Sequence, residues 1–505
     1  MSPFNRPRVT PPPEAFTVSG MRDLADRLRR LRARALEEEA RHADLLAAVD
    51  PAHRLSARNL VHYLALRSVD VRRLQADLAW LGLSSLGRAE AHVLVSLDRV
   101  LGILTLALGE SLPDYDGTAP VGFRQGKALV EFHADELLGP ARPDRRVRIV
   151  VTIPSEAAHD RDLCGGLVAA GMDVARINCA HDDPTAWRRM IDNLRAAAAT
   201  RGSELRILMD LAGSKLRIDD LGGKKSVRLH REDRLTVADP GRLDTLDPGD
   251  DVVATCPVAK VFDEVALGDP VWFDDGRIGG HTEALGEGWF RVRIDHAKPT
   301  GARLRPNKGL NLPLTRLDLP AFQEGDREAL DFAADHADAI ALSFVQDPED
   351  VVRLHDALVA RRRPEVGIVL KIETRSGFEH LPRLLLAAMR HADYGVMIAR
   401  GDLAVEMGFE RLAEVQEEIL WVAEAAHAPT IWATQVLERL SKRGAPSRAE
   451  VTDAAMSGRA EAVMLNKGEF IVDAIQSLDD ILTRMDAHQD KKTPLLRPLG
   501  ISRDL

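Results

Sequence analysis

The sequence predicts an α/β protein whose largest part is a closed parallel barrel of eight strands and eight helices. Eight short apolar runs alternate with helical segments between about residue 146 and residue 486, beginning with RVRIVVTI and ending with EAVMLN. The runs are poor in proline and end in polar residues, which is typical of parallel strands whose carboxyl ends share one mouth. These observations favour a (βα)8 barrel of the TIM type over an open sheet.

An inserted lid and an added helical domain are predicted around this barrel. Residues 219–305 follow the third strand and are rich in valine, glycine and aspartate in short alternating runs, which indicates a small β-rich domain over the mouth. Residues 110–145 contain four prolines and are predicted to be an extended connection. The predicted bounds are 1–20 for a proline-rich disordered tail, 21–145 for the N-terminal all-helical domain and its linker, 146–218 and 306–486 for the barrel, 219–305 for the lid, and 487–505 for a C-terminal tail.

Composition excludes several classes of partner. The 505 residues carry a net charge of −10, which argues against nucleic acid as a partner. The three cysteines are odd in number and widely spaced, which fits a reducing compartment and neither a disulfide framework nor a thiolate metal site. No apolar run approaches the roughly 20 residues that cross a bilayer, and the N-terminus lacks the apolar core of a signal peptide. We therefore expect a cytoplasmic protein with no membrane partner.

The most informative stretch runs from residue 366 to residue 406. One strand-like run ends at Lys371 and Glu373, and the next ends at Arg400, Gly401 and Asp402. Two carboxylates and an ammonium group at neighbouring strand ends suit a divalent cation and an anionic, oxygen-rich substrate. From this stretch alone, an ordinary buried ion-pair cluster remains an alternative.

A series of motifs in the predicted barrel resembles the pyruvate kinase family. The resemblance covers residues 146 to 484 and rests on the segments ARINCAH (175–181), MDLAGSKLRI (209–218), NKGLNLP (307–313), LSFVQDPEDV (342–351), LKIET (370–374), MIARGDLAVE (397–406), ATQVLERL (433–440) and PSRAEVTDAA (446–455). Each motif is weak by itself, but their order and their positions at strand ends are specific. The family's usual C-terminal α/β domain is not expected in this chain, which carries an extra N-terminal helical domain, so we expect no sugar-phosphate effector at the usual place.

The resemblance implies transfer of phosphate from phosphoenolpyruvate to ADP, giving pyruvate and ATP. It implies that Glu373 and Asp402 hold Mg²⁺ or Mn²⁺, and that Lys371 stabilises the phosphoryl group in transfer and the enolate it leaves. Gly401 and Asp402 then open a short helix that binds the substrate carboxylate, and Thr434 helps to deliver a proton to the enolate carbon. The positions that match contacts with the transferring phosphate and the nucleotide phosphates are Arg176, Asn178, His181, Arg217 and Lys308.

The resemblance also predicts activity without K⁺. Family members that depend on K⁺ bind it through Asn, Ser, Asp and Thr oxygens. Asn178 and Asp210 remain here, but the serine and threonine positions hold Ala180 and Leu211. Lys215 stands where those members have glutamate, so its ammonium group is expected to substitute for the monovalent cation.

Two other functions remain open at the level of the sequence. One is a Mg²⁺-dependent lyase that acts on an enolpyruvate or a 2-oxo acid without a nucleotide. The other is a catalytically weak regulatory homologue that acts through its N-terminal helices. The retained phosphate contacts argue against the lyase, and the retained lysine, carboxylates and threonine argue against the regulatory protein. We expect a homo-oligomer, while the preferred nucleotide and the role of the helical domain stay open.

Overall fold

The chain forms two compact units in the computed structural model. The model describes residues 16–112, 120–246, 251–317, 319, 321, 326–391 and 393–494. One unit comprises the described parts of Met1–His133, Trp421–Ala428 and Lys492–Pro494, and the other comprises those of Ala134–Leu420, Pro429–Lys491 and Leu495–Leu505.

The first unit is helical, as the sequence predicts. Helix α1 begins within the predicted disordered tail, after Thr17, whose side-chain oxygen accepts a hydrogen bond of 3.0 Å from the backbone N–H of Gly20. Leu24 and Leu28 of this helix are buried in the core of the unit. The first five helices are α1 (Val18–Arg41), α2 (Ala43–Ala47), α3 (Arg54–Arg67), α4 (Arg72–Trp80) and α5 (Val93–Ala107).

The prediction of an extended connection over residues 110–145 is wrong for most of its described part. Helix α6 spans Phe123–Leu138, between Pro120 and Pro140. Proline is poorly tolerated inside a helix but is common just outside its ends. The prolines therefore delimit this helix instead of preventing it.

The second unit contains the predicted barrel. Eight parallel strands close in the order β1-β16-β15-β14-β13-β12-β3-β2. Each strand's bounds fall within one of the eight apolar runs: β1 (Arg148–Thr152), β2 (Val174–Asn178), β3 (Arg206–Asp210), β12 (Ala339–Leu342), β13 (Gly367–Ile372), β14 (Tyr394–Ala399), β15 (Thr430–Ala433) and β16 (Ala462–Leu465). Six of the eight strands are buried along their whole length, which explains their continuous apolar composition.

Helices alternate with these strands along the chain. Where a helix follows a loop, short polar side chains often begin it; Asp347 and Ser447, for example, each take part in a reciprocal capping box. The helices are α7 (Arg161–Ala170), α8 (Pro184–Arg201), α10 (Arg327–His336), α11 (Pro348–Ala360), α12 (Arg375–Glu379), α13 (Leu381–Ala388), α14 (Arg400–Met407), α15 (Leu412–Ala425), α16 (Glu438–Arg443), α17 (Arg448–Ser457) and α18 (Ile471–Asp486).

The segment between the third barrel strand and helix α10 is β-rich. It forms a six-stranded sheet in the order β11-β7-β8-β9-β5-β6 and a two-stranded pair of β10 with β4. Phe273 and Phe290 lie fully buried in its own apolar core. The elements are β4 (Val227–Leu229), β5 (Arg234–Ala238), β6 (Val252–Thr255), α9 (Lys260–Glu264), β7 (Pro270–Phe273), β8 (Ile278–Gly286), β9 (Trp289–His296), β10 (Ala302–Leu304) and β11 (Leu310–Asn311).

Two further features complete the described chain. Short strands β17 (Gln489–Asp490) and β18 (Thr493–Pro494) lie in the predicted C-terminal tail, of which residues 495–505 lie outside the described range. None of the described helices combines the length and the apolar character that crossing a membrane requires.

Candidate active site

The charged residues of the central stretch lie together at the carboxyl ends of strands β13 and β14. Lys371 is the fifth residue of β13, and Glu373 follows directly after that strand. Strand β14 leads into helix α14, which has Asp402 in its first turn. Lys371 and Glu373 are only 7% and 4% exposed, so their charges are removed from bulk water.

Lys371 lies at the centre of a buried hydrogen-bonded cluster. Its Nζ atom lies 3.1 Å from Oδ1 of Asp210, 2.6 Å from Oγ of Ser343 and 3.2 Å from Oε1 of Glu373. Burial by itself would lower the pKa of Lys371, but the negative charges of Asp210 and Glu373 outweigh it and raise the pKa. The side chain is therefore a fixed ammonium group at neutral pH.

Asp210, at the end of β3, joins this lysine to an arginine. Arg176 Nε lies 2.7 Å from Asp210 Oδ2, and Arg176 Nη1 donates to Thr152 Oγ1 over 2.9 Å. Burial would raise the pKa of Asp210, but the charges of Lys371 and Arg176 lower it below its ordinary value. Two cations of the protein therefore share one buried carboxylate.

Glu373 and Asp402 are the carboxylates that could hold a metal ion. Oε2 of Glu373 accepts a hydrogen bond of 2.7 Å from the backbone N–H of Phe344. Burial raises the pKa of Glu373, and although the charge of Lys371 lowers it, the negative charge of Asp402 raises it further. Two hard oxygen donors at neighbouring strand ends fit Mg²⁺ or Mn²⁺.

The protein supplies only part of a coordination shell. Within the described ranges, no group of three or more histidine, cysteine, aspartate or glutamate side chains is arranged to hold a metal. A small divalent cation usually keeps one or two carboxylates and takes its other ligands from water and substrate oxygens. The two carboxylates at this mouth fit that kind of site.

Lys215 contacts the second of these carboxylates. Its Nζ atom lies 2.8 Å from Oδ1 of Asp402 and 3.4 Å from Oδ1 of Asp275, which lies in the turn after lid strand β7. Burial would lower the pKa of Lys215, but Asp402 and Asp275 raise it. Lys215 is thus a permanent positive charge beside Asp402, between the barrel and the lid.

Thr434 and Gly401 face each other next to Asp402. A Cβ atom at Gly401 would lie 3.9 Å from the side chain of Thr434. Thr434 has φ of +65°, which is strained for a β-branched residue, and its Oγ1 is buried with no hydrogen-bond partner. Arg400 stabilises this loop by donating to the carbonyls of Ala433 and Thr434. A strained backbone and an unpartnered hydroxyl are both typical of a substrate-binding position.

Three of the five predicted phosphate contacts line one cavity. Arg176, Asn178 and His181 border a cavity of about 260 Å³, together with Lys467 from the loop after β16. Arg217 and Lys308 lie elsewhere, on the two chain segments that enter and leave the lid. Arg217 donates to the carbonyl of Asn307 over 3.1 Å, and Lys308 Nζ lies 2.8 Å from Oδ1 of Asp274. The structure therefore does not bring these two residues into the cavity.

The sequence predicts no role for several residues that lie at the mouth. Ser343 accepts a hydrogen bond from Lys371, and Asn311 donates one to Glu406. Burial raises the pKa of Glu406 to about 7. Asn311 and Glu406 belong to the motifs NKGLNLP and MIARGDLAVE, and this membership could have marked them as residues of the site. Their contacts depend on the approach of the lid to the barrel, which no local pattern encodes.

Known proteins resemble this chain over most of its barrel and lid. A family model described as "Pyruvate kinase, barrel domain" matches residues 144–475. The chain is 32% identical over 362 residues to the pyruvate kinase of Mycobacterium intracellulare, which covers 70% of this chain and 72% of that protein. It is 30% identical over 369 residues to the pyruvate kinase of Thermococcus litoralis (72% of each chain) and 32% identical over 349 residues to that of Methylorubrum extorquens (68% and 69%). The chain therefore belongs to the pyruvate kinase family of phosphotransferases.

Proposed function

We propose that this protein transfers a phosphoryl group from phosphoenolpyruvate to ADP, giving pyruvate and ATP. The observation that carries the proposal is the buried contact of Lys371 with Asp210, Ser343 and Glu373, next to Asp402 at the barrel mouth. Phosphoryl transfer requires fixed positive charge where negative charge spreads over the transferring oxygens, and little covalent chemistry from the protein.

Lys371 and Arg176 supply that fixed positive charge. Because Asp210 bonds both side chains, their positions are set before the substrate arrives. Preorganised charges in a site with little water stabilise a developing anion without reorganising. We assign to Lys371 the stabilisation of the phosphoryl group and of the enolate oxygen, and to Arg176 the contact with the transferring phosphate.

Glu373 and Asp402 would hold the divalent cation. When it is bound, Mg²⁺ or Mn²⁺ neutralises substrate oxygens and orients them for transfer. Lys215 pairs with Asp402 and also lies 3.4 Å from Oδ1 of Asp275, so its ammonium group would keep a carboxylate partner if Asp402 turned to a metal ion.

The remaining residues orient the substrates. Gly401 and Asp402 begin helix α14, whose free backbone N–H groups suit the carboxylate of phosphoenolpyruvate. The unpartnered hydroxyl of Thr434 is available to that carboxylate and to a proton on its way to the enolate carbon. Asn178 and His181 are assigned to the nucleotide phosphates in the cavity beside Arg176, and Arg217 and Lys308 to the same phosphates when the lid closes.

We also propose that activity does not require K⁺. Of the oxygen ligands that K⁺-dependent members use, Asn178 and Asp210 remain, and the Asp210 carboxylate is already shared by Arg176 and Lys371. Lys215 provides an additional internal cation. Replacing K⁺ by tetramethylammonium at constant ionic strength should change kcat by less than about twofold. A many-fold rise with K⁺ would contradict this proposal.

A pyruvate-forming assay tests the main proposal. Wild-type protein should form pyruvate from phosphoenolpyruvate only when both ADP and a divalent cation are present. The variant Lys371→Met should lose at least about a hundredfold in kcat, because one preorganised charge is removed from the transition state. Lys225→Met, which removes an exposed lid lysine, is the matched control and should retain wild-type activity. Pyruvate formation without ADP would indicate hydrolysis of phosphoenolpyruvate and would contradict the proposed transfer to ADP, and equal rates for Lys371→Met and wild type would reject the assigned role of Lys371.

A further inference from the structure

Asn311 connects the lid sheet to the helix that carries Asp402. It lies in β11, the edge strand of the six-stranded lid sheet, where it pairs with Trp272 of β7. Its side chain is 4% exposed and points away from solvent. An amide in this position is fixed by the lid backbone and buried against the barrel.

The amide nitrogen of Asn311 contacts two carboxyl groups of helix α14. Its Nδ2 atom lies 3.0 Å from Oε1 of Glu406 and 3.4 Å from Oδ1 of Asp402. Residues four apart lie on the same face of a helix, one turn from each other. The two N–H groups of one carboxamide can therefore serve both side chains at once.

The amide oxygen of Asn311 has no hydrogen-bond partner. Its Oδ1 atom is buried, and the residue borders a cavity of about 280 Å³ that Glu406, Phe344 and Thr374 also line. A buried acceptor left without a donor is costly, so such groups usually bond a ligand or water for part of the working cycle. This second observation indicates that the amide does more than pack the lid.

We propose that Asn311 is a positioning residue that couples the divalent cation at Asp402 to the lid. Its Nδ2 would hold the Asp402 carboxylate in place for the cation, and its Oδ1 would be available to a donor that enters the site with a ligand. The inference rests on the proposed function, because it requires a cation at Glu373 and Asp402.

The position of Lys215 explains why such a residue is needed. The ammonium group of Lys215 bonds Asp402 and so fixes its carboxylate. A metal ion held by Asp402 would compete with Lys215 for that carboxylate, whereas Asn311 contacts it through an uncharged amide that could stay in place. Hydrogen bonds to a metal ligand typically contribute 10- to 100-fold to metal affinity.

The test compares Mn²⁺ binding in the absence of substrates, followed by electron paramagnetic resonance. Asn311→Leu keeps the branched shape of the side chain and removes both hydrogen-bonding groups, and we expect its Kd for Mn²⁺ to rise about 10- to 100-fold. The control is Thr315→Val, which removes a hydroxyl that bonds Asp269 at 2.9 Å in the same segment, and its Kd should match wild type. Asn311→Ser, which is smaller and too short to reach Asp402, serves if the leucine variant does not fold.

Hydrogen exchange provides a readout that a merely structural role would not change. In wild type, Mn²⁺ should slow amide exchange in lid strand β7, the partner of β11, and in the Asn311 variants this metal-dependent protection should disappear. A folded Asn311 variant with wild-type Kd and wild-type protection would overturn the inference alone. A wild-type protein that binds no Mn²⁺ would overturn the proposed function and this inference together.

Discussion

Buried charges occur at both ends of the barrel, and the two groups differ in how completely they are paired. At the base, where the strands begin, the fully buried Arg145 bonds Asp479 at 2.6 Å, Asp173 at 2.9 Å and the carbonyl of Gly171 at 2.9 Å. Asp173 also accepts from Arg142 at 2.8 Å. Every charge in this group is matched by another group of the protein.

At the mouth, some buried polar atoms have no hydrogen-bond partner in the described part of the protein. The Oγ1 atom of Thr434 and the Oδ1 atom of Asn311 are buried without partners, and the pKa of Glu373 is raised by burial and by Asp402. Groups held in this way are stabilised when a ligand supplies the missing charge or hydrogen bond. The buried charges around Arg145 are therefore fully paired, whereas the charges at the mouth lie beside two acceptors without partners.

The base also contains an apolar plug. Leu137 and Leu138, in the last turn of α6, pack with the inward-facing residues of the barrel strands. Gly367 and Gly395 make room for this plug, because a Cβ atom on either would lie 2.5 or 2.6 Å from the side chain of Leu137. The base is therefore filled for stability, and three predictions test whether the two ends behave differently.

The largest effect on stability is expected from breaking the ion pairs of the base. Arg145→Met leaves buried carboxylate charge with fewer partners, which should lower the free energy of unfolding by about 3–5 kcal/mol. Arg484→Met, which removes an exposed ion pair with Asp480 on α18, should change it by less than about 1 kcal/mol. Urea unfolding measures both, and a loss below about 1 kcal/mol for Arg145→Met would remove the distinction between the two ends.

Removing the plug should have the next largest effect. Leu137→Ala leaves a cavity in the base and should lower the free energy of unfolding by about 2–5 kcal/mol. Gly367→Ala alone should cost about 1–3 kcal/mol because its new methyl group meets Leu137. In the double variant the clash is relieved, so the combined loss should be smaller than the sum of the two. Additive losses in urea unfolding would show that the two residues do not contact each other.

The smallest effect, of opposite sign, is expected at the mouth. Burial raises the pKa of Glu406 to about 7, so its ionisation opposes folding as pH rises from about 4.5 through 7. Glu406→Gln cannot ionise and should be more stable than wild type by about 1–3 kcal/mol at pH 8, with little difference at pH 4.5. Unfolding in EDTA at the two pH values measures this, and equal stability at pH 8 would contradict it.

Much of the barrel and part of the site could be predicted from local pattern. Strands buried on both faces are continuous apolar runs, and their polar ends locate Lys371, Glu373 and Asp402 at one mouth without any knowledge of contacts. The prolines of residues 110–145 predict an extended connection, but Pro120 and Pro140 lie outside the ends of helix α6 and leave its interior helical.

The contacts within the site could not be predicted in this way. Ser343 and Asn311 are uncharged and reach Lys371 and Asp402 only after distant segments of the chain have come together. Lys215 was singled out as a positive charge, but its actual partner, Asp402, depends on the position of the lid. Tertiary approach, which sequence spacing does not encode, decides these bonds.

We propose that the barrel mouth moves a phosphoryl group between two substrates. Phosphorus-31 nuclear magnetic resonance of wild-type protein with Mg²⁺, phosphoenolpyruvate and ADP tests it most directly. We predict that the phosphoenolpyruvate signal declines while the γ-phosphate signal of ATP grows in equal amount. Release of inorganic phosphate without ATP, or an unchanged spectrum, would contradict the account.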